Sequence, residues 1–139
     1  MAITAIAGPI SNLIAAFVGA FFYLVLECVT RSLPSVQGAS YQVLSVLFTF
    51  FYFFVSINLS LAVFNLIPVP PLDGSRLVAA ALPDRIMRQY YRYERILVGV
   101  LFLILLSGAL DSVLWTIQNA LWDAVFSVAL LPFQALGLL

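Results

Sequence analysis

The sequence predicts an all-α integral membrane protein: a helical bundle of three to four hydrophobic helices, forming a single domain over residues 1–139. Composition is the first observation behind this. Of 139 residues, 64% are hydrophobic and only 9% are charged, against roughly 25% charged in a soluble domain. The second is a mean hydropathy of +1.13. The third is continuity, since residues 1–26 and 32–72 contain no charged side chain. A soluble chain of this length buries only about two-thirds of its unfolded surface, too little to hide so much apolar area, so the expected solvent and first partner is membrane lipid. Formal net charge is +0, which removes the bulk attraction a nucleic-acid partner would need. One cysteine, Cys28, excludes an internal disulfide and a cysteine-cluster metal site.

The N-terminal Met1-Ala-Ile-Thr-Ala-Ile-Ala has no basic region. It reads as the start of a spanning helix rather than a secretory signal. A first helix over 9–27 is long enough to cross a hydrocarbon core of roughly 30 Å at ~1.5 Å per residue. Pro9 suits its first turn, where a missing N–H costs nothing. Ala15, Ala16, Gly19 and Ala20 give it a small face that another helix can approach closely. Arg31, Pro34 and Gly38 mark 28–41 as a connection. A second helix covers 42–67, rich in phenylalanine from Phe48 to Phe54, expected to face lipid, with a substrate groove as the alternative. Pro68, Pro70 and Pro71 end it, each removing a backbone donor and pushing the preceding residue toward extended geometry. Asp73-Gly74 is expected to turn, 75–82 to form a short helix, and Pro83-Asp84 to break it. In 85–95 the arginines fall at spacings of 3, 4 and 3, placing them on one helical face. Tyrosines between them favour the headgroup level. A third hydrophobic helix is expected over 96–109. The stretch 111–130, with Trp115, Gln118 and Trp122 on the face of Asp111, reads either as an interfacial helix anchored by tryptophan or as a fourth span.

Charge gives the orientation. Arg76, Arg85, Arg88, Arg92 and Arg95 all follow the second helix, and only Arg31, beside Glu27, lies in the opposite connection. The positive-inside rule places the connection from Pro68 to Arg95 in the cytoplasm. The first helix then starts where the second one ends, so Gly8-Pro9 and Asp73 share a membrane face.

Asp73 is a carboxylate in a Pro-Pro-Leu-Asp-Gly-Ser segment. On the dipeptide alone it is a turn residue that caps the next helix. Asn58 and Asn65 change the weighting. They stand seven residues apart, on one face of an otherwise apolar span, and polar side chains at membrane depth must face protein or water. They lead toward the acidic turn.

Asn65, Pro68, Leu72, Asp73 and Gly74 spell Asn-x-x-Pro-x-x-x-Leu-Asp-Gly, which resembles the second metal-binding motif of the site-2 proteases, the zinc metallopeptidases that cut within membranes. Ala7-Gly8-Pro9-Ile10-Ser11-Asn12 is similar to the Ala-Gly-Pro-x-x-Asn that opens the preceding helix in many bacterial members. The resemblance implies regulated intramembrane proteolysis in a bacterial cell membrane. It also implies zinc held by the two histidines of a His-Glu-x-x-His helix together with Asp73, with the Glu as general base. By the resemblance Asn65 would be a polar group near the cleft that could orient substrate backbone, and Gly74 would turn the chain beside the metal; Asn58, Pro68, Gly8 and Pro9 are expected to be substrate-contacting or structural residues of the same region.

One departure governs the expectation. The sequence contains 0 His, so no catalytic residue is expected among these residues. Cys28 and Glu27 lie some 20 residues beyond Gly8, roughly 30 Å along a helix, out of reach of Asp73. Asp84 is on the correct side but lies in an arginine-rich, exposed stretch. Zinc normally takes three protein ligands in catalytic sites, so the chain by itself is expected to bind no stoichiometric zinc and to cleave nothing. The catalytic segment is then a missing partner. It lies upstream in a longer protein, as the internal look of Ala2-Ile-Thr-Ala-Ile-Ala7 favours, or on a separate chain, or it was lost. The alternative is a non-catalytic membrane module that holds a partner helix. A transporter fragment explains the broken helix but not the motif spacing.

Overall fold

A computed structural model of the protein describes residues 2–33 and 38–139. Part of the expected 28–41 connection, residues 34–37, lies outside them. The described residues form α1 (Ala2–Ser32), α2 (Ala39–Asn65), α3 (Asp73–Ala81), α4 (Asp84–Arg92), α5 (Glu94–Leu106) and α6 (Asp111–Ala135), with no strand among them. Three stretches are long and apolar enough to cross a membrane: Ile6–Ser32, Ala39–Asn65 and Asp111–Ala135. The all-α membrane bundle expected from composition is the architecture observed.

Small residues bring α1 and α2 together. Ala16 and Ala20 on α1 and Val55 and Leu59 on α2 are all 0% exposed, so small and aliphatic side chains fill the centre of the contact between the two helices. Gly19 completes this face, where a Cβ would stand 2.7 Å from Phe54 and 3.0 Å from Val55. Close van der Waals packing of this kind holds helices together where lipid removes most of the hydrophobic driving force. Ala129 and Phe133 of α6 close the same core. The phenylalanines of α2 divide between two environments. Phe51 stacks on Phe22, and Phe48 meets Tyr23 edge-on, while Phe50 and Phe53 point outward. The stripe is therefore only partly a lipid-facing surface.

Pro9 does not open α1. The helix already runs from Ala2, and Pro9 lies inside it. The apolar, alanine-rich residues before it are good helix formers and carry the helix through, with the loss of one backbone bond. The hydroxyl of Ser11 donates to the Gly8 carbonyl at 2.7 Å, satisfying an acceptor in the same turn. The α2 C-terminus tightens into i→i+3 bonds, Leu66 to Val63 and Ile67 to Phe64, before the prolines stop it.

The third helix long and apolar enough to cross is α6, not the 96–109 segment. α5 has 13 residues, about 20 Å at 1.5 Å per residue, short of a core of roughly 30 Å. None of its described residues is buried. α6 has 25 residues and packs along both α1 and α2. Its Gln118 donates to the Ser56 hydroxyl at 3.3 Å. Its Trp122 meets Tyr52, and its Phe126 meets Tyr23. Beyond its end, the Leu138 carbonyl lies 3.9 Å from the Cys28 sulfur. α6 thus runs parallel to α1 and antiparallel to α2, and the whole connection from Leu66 to Leu110 stays at one end of the bundle.

Candidate metal centre

Asp73 is the first residue of α3, after Leu72, whose extended backbone makes the cap without a side-chain bond. A carboxylate in a first helical turn is favoured by the positive end of the helix dipole. The expected Asp-Gly turn is therefore a helix start. Gly74 has no positive φ, and its role is close approach. A Cβ there would run into the Leu66 carbonyl oxygen and stand 2.5 Å from the Ile67 carbonyl oxygen. Only a glycine lets α3 begin directly beneath the unravelled end of α2.

This packing turns Asp73 onto the start of α1. A Cβ on Gly8 would overlap a carboxylate oxygen of Asp73, and would stand 3.4 Å from its Cγ and 4.0 Å from the Asn65 Nδ2. Gly8, Asn65 and Asp73 meet at one end of the bundle, with Pro9 buried beside them. Asn65 and Asp73 are half-buried. Three separate elements, α1, α2 and α3, each contribute one of the three, as two consecutive antiparallel spans allow.

The other expected residues fall differently. Asn58 is half-buried and spends its amide within its own helix, donating to the Phe54 carbonyl at 2.7 Å. It does not join the Asp73 cluster. Pro68 is exposed, and its carbonyl accepts a hydrogen bond from the Tyr90 hydroxyl at 2.8 Å. Glu27 pairs with Arg31 at 2.6 Å at the far end of α1, and Cys28 lies beside it. The side chain of Asp84 lies outside the described residues. Among the described residues no three His, Cys, Asp or Glu side chains come together. Catalytic zinc needs three protein ligands, so the residues present supply one carboxylate and do not by themselves fit a zinc ion.

Sequence reasoning missed a brace. Tyr90 of α4 ties that helix to the proline segment through Pro68, and it lies beside Ser75, which is 3% exposed. Burial, and then the neighbouring Tyr91, raise the Tyr90 pKa above 10.0, with the Ser75 contact opposing them. A signal was present. Tyr90 stands two residues from both Arg88 and Arg92, about 160–200° around the helix from the arginine stripe, on the side that must face protein.

Two comparisons bear on identity. The sequence pattern of peptidase family M50 matches residues 28–107, a stretch that includes Asn65 and Asp73. A Bacillus subtilis (strain 168) protein named "Putative zinc metalloprotease YwhC" is 36% identical over 140 residues, covering 96% of this chain and 58% of its own length. The chain thus spans just over half of that relative. No solved structure matches. With the Asn-x-x-Pro-x-x-x-Leu-Asp-Gly motif and its meeting with Gly8 at one end of an all-α membrane bundle, the chain belongs to peptidase family M50, the site-2 proteases.

Proposed function

We propose that these residues form the part of an intramembrane zinc metallopeptidase core that supplies its carboxylate ligand, Asp73, and that regulated intramembrane proteolysis is the activity served. The observation that carries the reading is the meeting of Asp73, Asn65 and Gly8, contributed by three helices at the membrane-surface end of two spans. Family membership and the name of the relative support zinc as the metal. The remaining ligands are histidines, and with 0 His here they come from outside these residues. In this arrangement Asp73 presents its carboxylate at the helix start, in the space that Gly8, lacking a Cβ, leaves for it. Asn65 offers an amide to unwound substrate backbone. The proposed substrate is a membrane-protein helix.

The test is metal analysis. The 139-residue chain purified alone is expected to hold no stoichiometric zinc. A longer protein containing it and a His-Glu-x-x-His helix is expected to hold about one zinc per chain, lost on Asp73→Ala. About one zinc on the isolated chain, or full zinc retention in Asp73→Ala, would sink the proposal.

We also propose that the Asp73 end faces the cytoplasm of a bacterial cell membrane. Five arginines lie in the connection at that end, and positive loops stay inside. A cysteine placed at Arg88 in a Cys28→Ser background is expected to resist membrane-impermeant maleimide in intact cells and to react after lysis. Labelling in intact cells reverses the orientation.

A further inference from the structure

A second cavity is lined in part by α3. A cleft of about 550 Å³ opens between α3 and α4, lined among others by Pro70, Ser75, Arg76, Met87, Tyr91 and Glu94. The volume is within the usual range of small-molecule sites. Its walls are largely apolar and its charged groups are two: Arg76 from α3 and Glu94 from the first turn of α5. They do not pair with each other, since the one ion pair among the described residues is Arg31–Glu27. Separate helices hold them, so a ligand that bridges them must carry the opposite charges in the opposite order, an anion for Arg76 and a cationic donor for Glu94.

The location selects the ligand. Pro70 lies five residues after α2 ends at Asn65, and α2 is a candidate span. Tyr91 and Tyr93 are exposed nearby, and tyrosine favours the headgroup level. A phospholipid presents a phosphate at that depth, with acyl chains that suit apolar walls. We infer that the α3–α4 cleft binds the headgroup of phosphatidylethanolamine, with its phosphate on Arg76 and its primary ammonium on Glu94. The ammonium has N–H groups to donate to a carboxylate. A quaternary choline has none, and a glycerol headgroup has no cation. Arg88, Arg92 and Arg95 do not line the cleft, and attract anionic lipid generally at about 1 kcal/mol each.

The inference is independent of the zinc reading, and its test measures no proteolysis. The protein is purified in mild detergent and titrated with dioleoyl phosphatidylethanolamine, phosphatidylcholine or phosphatidylglycerol, reading thermal unfolding and lipid retention by native mass spectrometry. Phosphatidylethanolamine is expected to bind roughly tenfold more tightly than the other two, about 1.4 kcal/mol. Glu94→Gln is expected to erase that preference, and Arg76→Gln to weaken binding of all three. Glu94→Asp is expected to keep part of the preference, and Arg88→Gln all of it. Equal retention of the three lipids overturns the inference, as does an undiminished preference in a folded Glu94→Gln protein. Soluble glycerophosphoethanolamine is expected to leave the unfolding temperature unchanged, and stabilisation equal to that of the lipid would overturn the lipid assignment.

Discussion

Gly74→Ala puts the candidate site under the most direct strain. In an ordinary helix the change stabilises by about 0.5–1 kcal/mol, because glycine loses the most backbone freedom on folding. Here the added Cβ would stand 2.5 Å from the Ile67 carbonyl oxygen and 2.6 Å from the Leu66 carbonyl carbon. Comfortable C···O contacts begin near 3.3 Å, so the end of α2 must retreat by roughly 0.8 Å. Every atom in the way is backbone, so no rotamer change relieves the overlap. The Ile67 carbonyl also accepts a hydrogen bond from the Val69 N–H at 2.8 Å, which resists the movement. Overpacking of this kind costs about 1–3 kcal/mol, leaving a net loss of about 1 kcal/mol after that gain, or roughly 4 °C in unfolding temperature for a domain of this size. Gly99→Ala is the control. It lies in α5 with nothing within 4 Å of its Cβ position, and is expected to leave unfolding unchanged or raise it by up to about 1 kcal/mol. Thermal unfolding in detergent, followed by circular dichroism, reads both. A Gly74→Ala protein that unfolds at or above the temperature of Gly99→Ala refutes the close-approach argument.

Gly8→Ala displaces the Asp73 carboxylate while α1 stays helical. Zinc occupancy in a longer, metal-loaded protein should fall with a stability change below about 3 kcal/mol, measured by metal analysis beside thermal unfolding. Tyr90→Phe removes the bond to the Pro68 carbonyl and should cost about 0.5–1.5 kcal/mol, read in the same unfolding assay. The raised Tyr90 pKa adds a pH signature. Stability tied to the neutral phenol is complete below pH ~10 and falls as pH rises through the folded-state value. Tyr90→Phe should flatten the part of the high-pH decline due to this group. Asn58→Leu should change stability by less than about 1 kcal/mol, because the Asn58 amide serves its own helix, and a larger loss in thermal unfolding would mean that it serves a neighbour.

The spans α1 and α2 were legible because each combines an unbroken apolar run with a clear stop. The common face of Gly8 and Asp73 was legible because two consecutive spans return the chain to the face from which it started. The exchange of α5 for α6 was not. Residues 96–106 are the more apolar, and Gln118, Asn119 and Asp123 make α6 look interfacial. Length decides against α5, and Gln118 turns onto Ser56 of α2, where a polar group at membrane depth finds a partner. Pro9 misled because local preference for a first turn ignores how readily the alanine-rich residues before it extend the helix. The role of Gly74 was hidden for a different reason. A turn glycine and a close-approach glycine are identical in sequence, and only the position of the α2 end over α3 separates them.

With α1, α2 and α6 each long and apolar enough to cross, and α6 parallel to α1, crossing by all three would make the number of crossings odd. A reporter fused after Leu139 would emerge on the opposite side of the membrane from Asp73, and one inserted in the connection between α3 and α4 on the same side. A segment joined on the α1 side of the chain would reach Asp73 without a further crossing. A tether at the far terminus would have to pass back through the bilayer to do so.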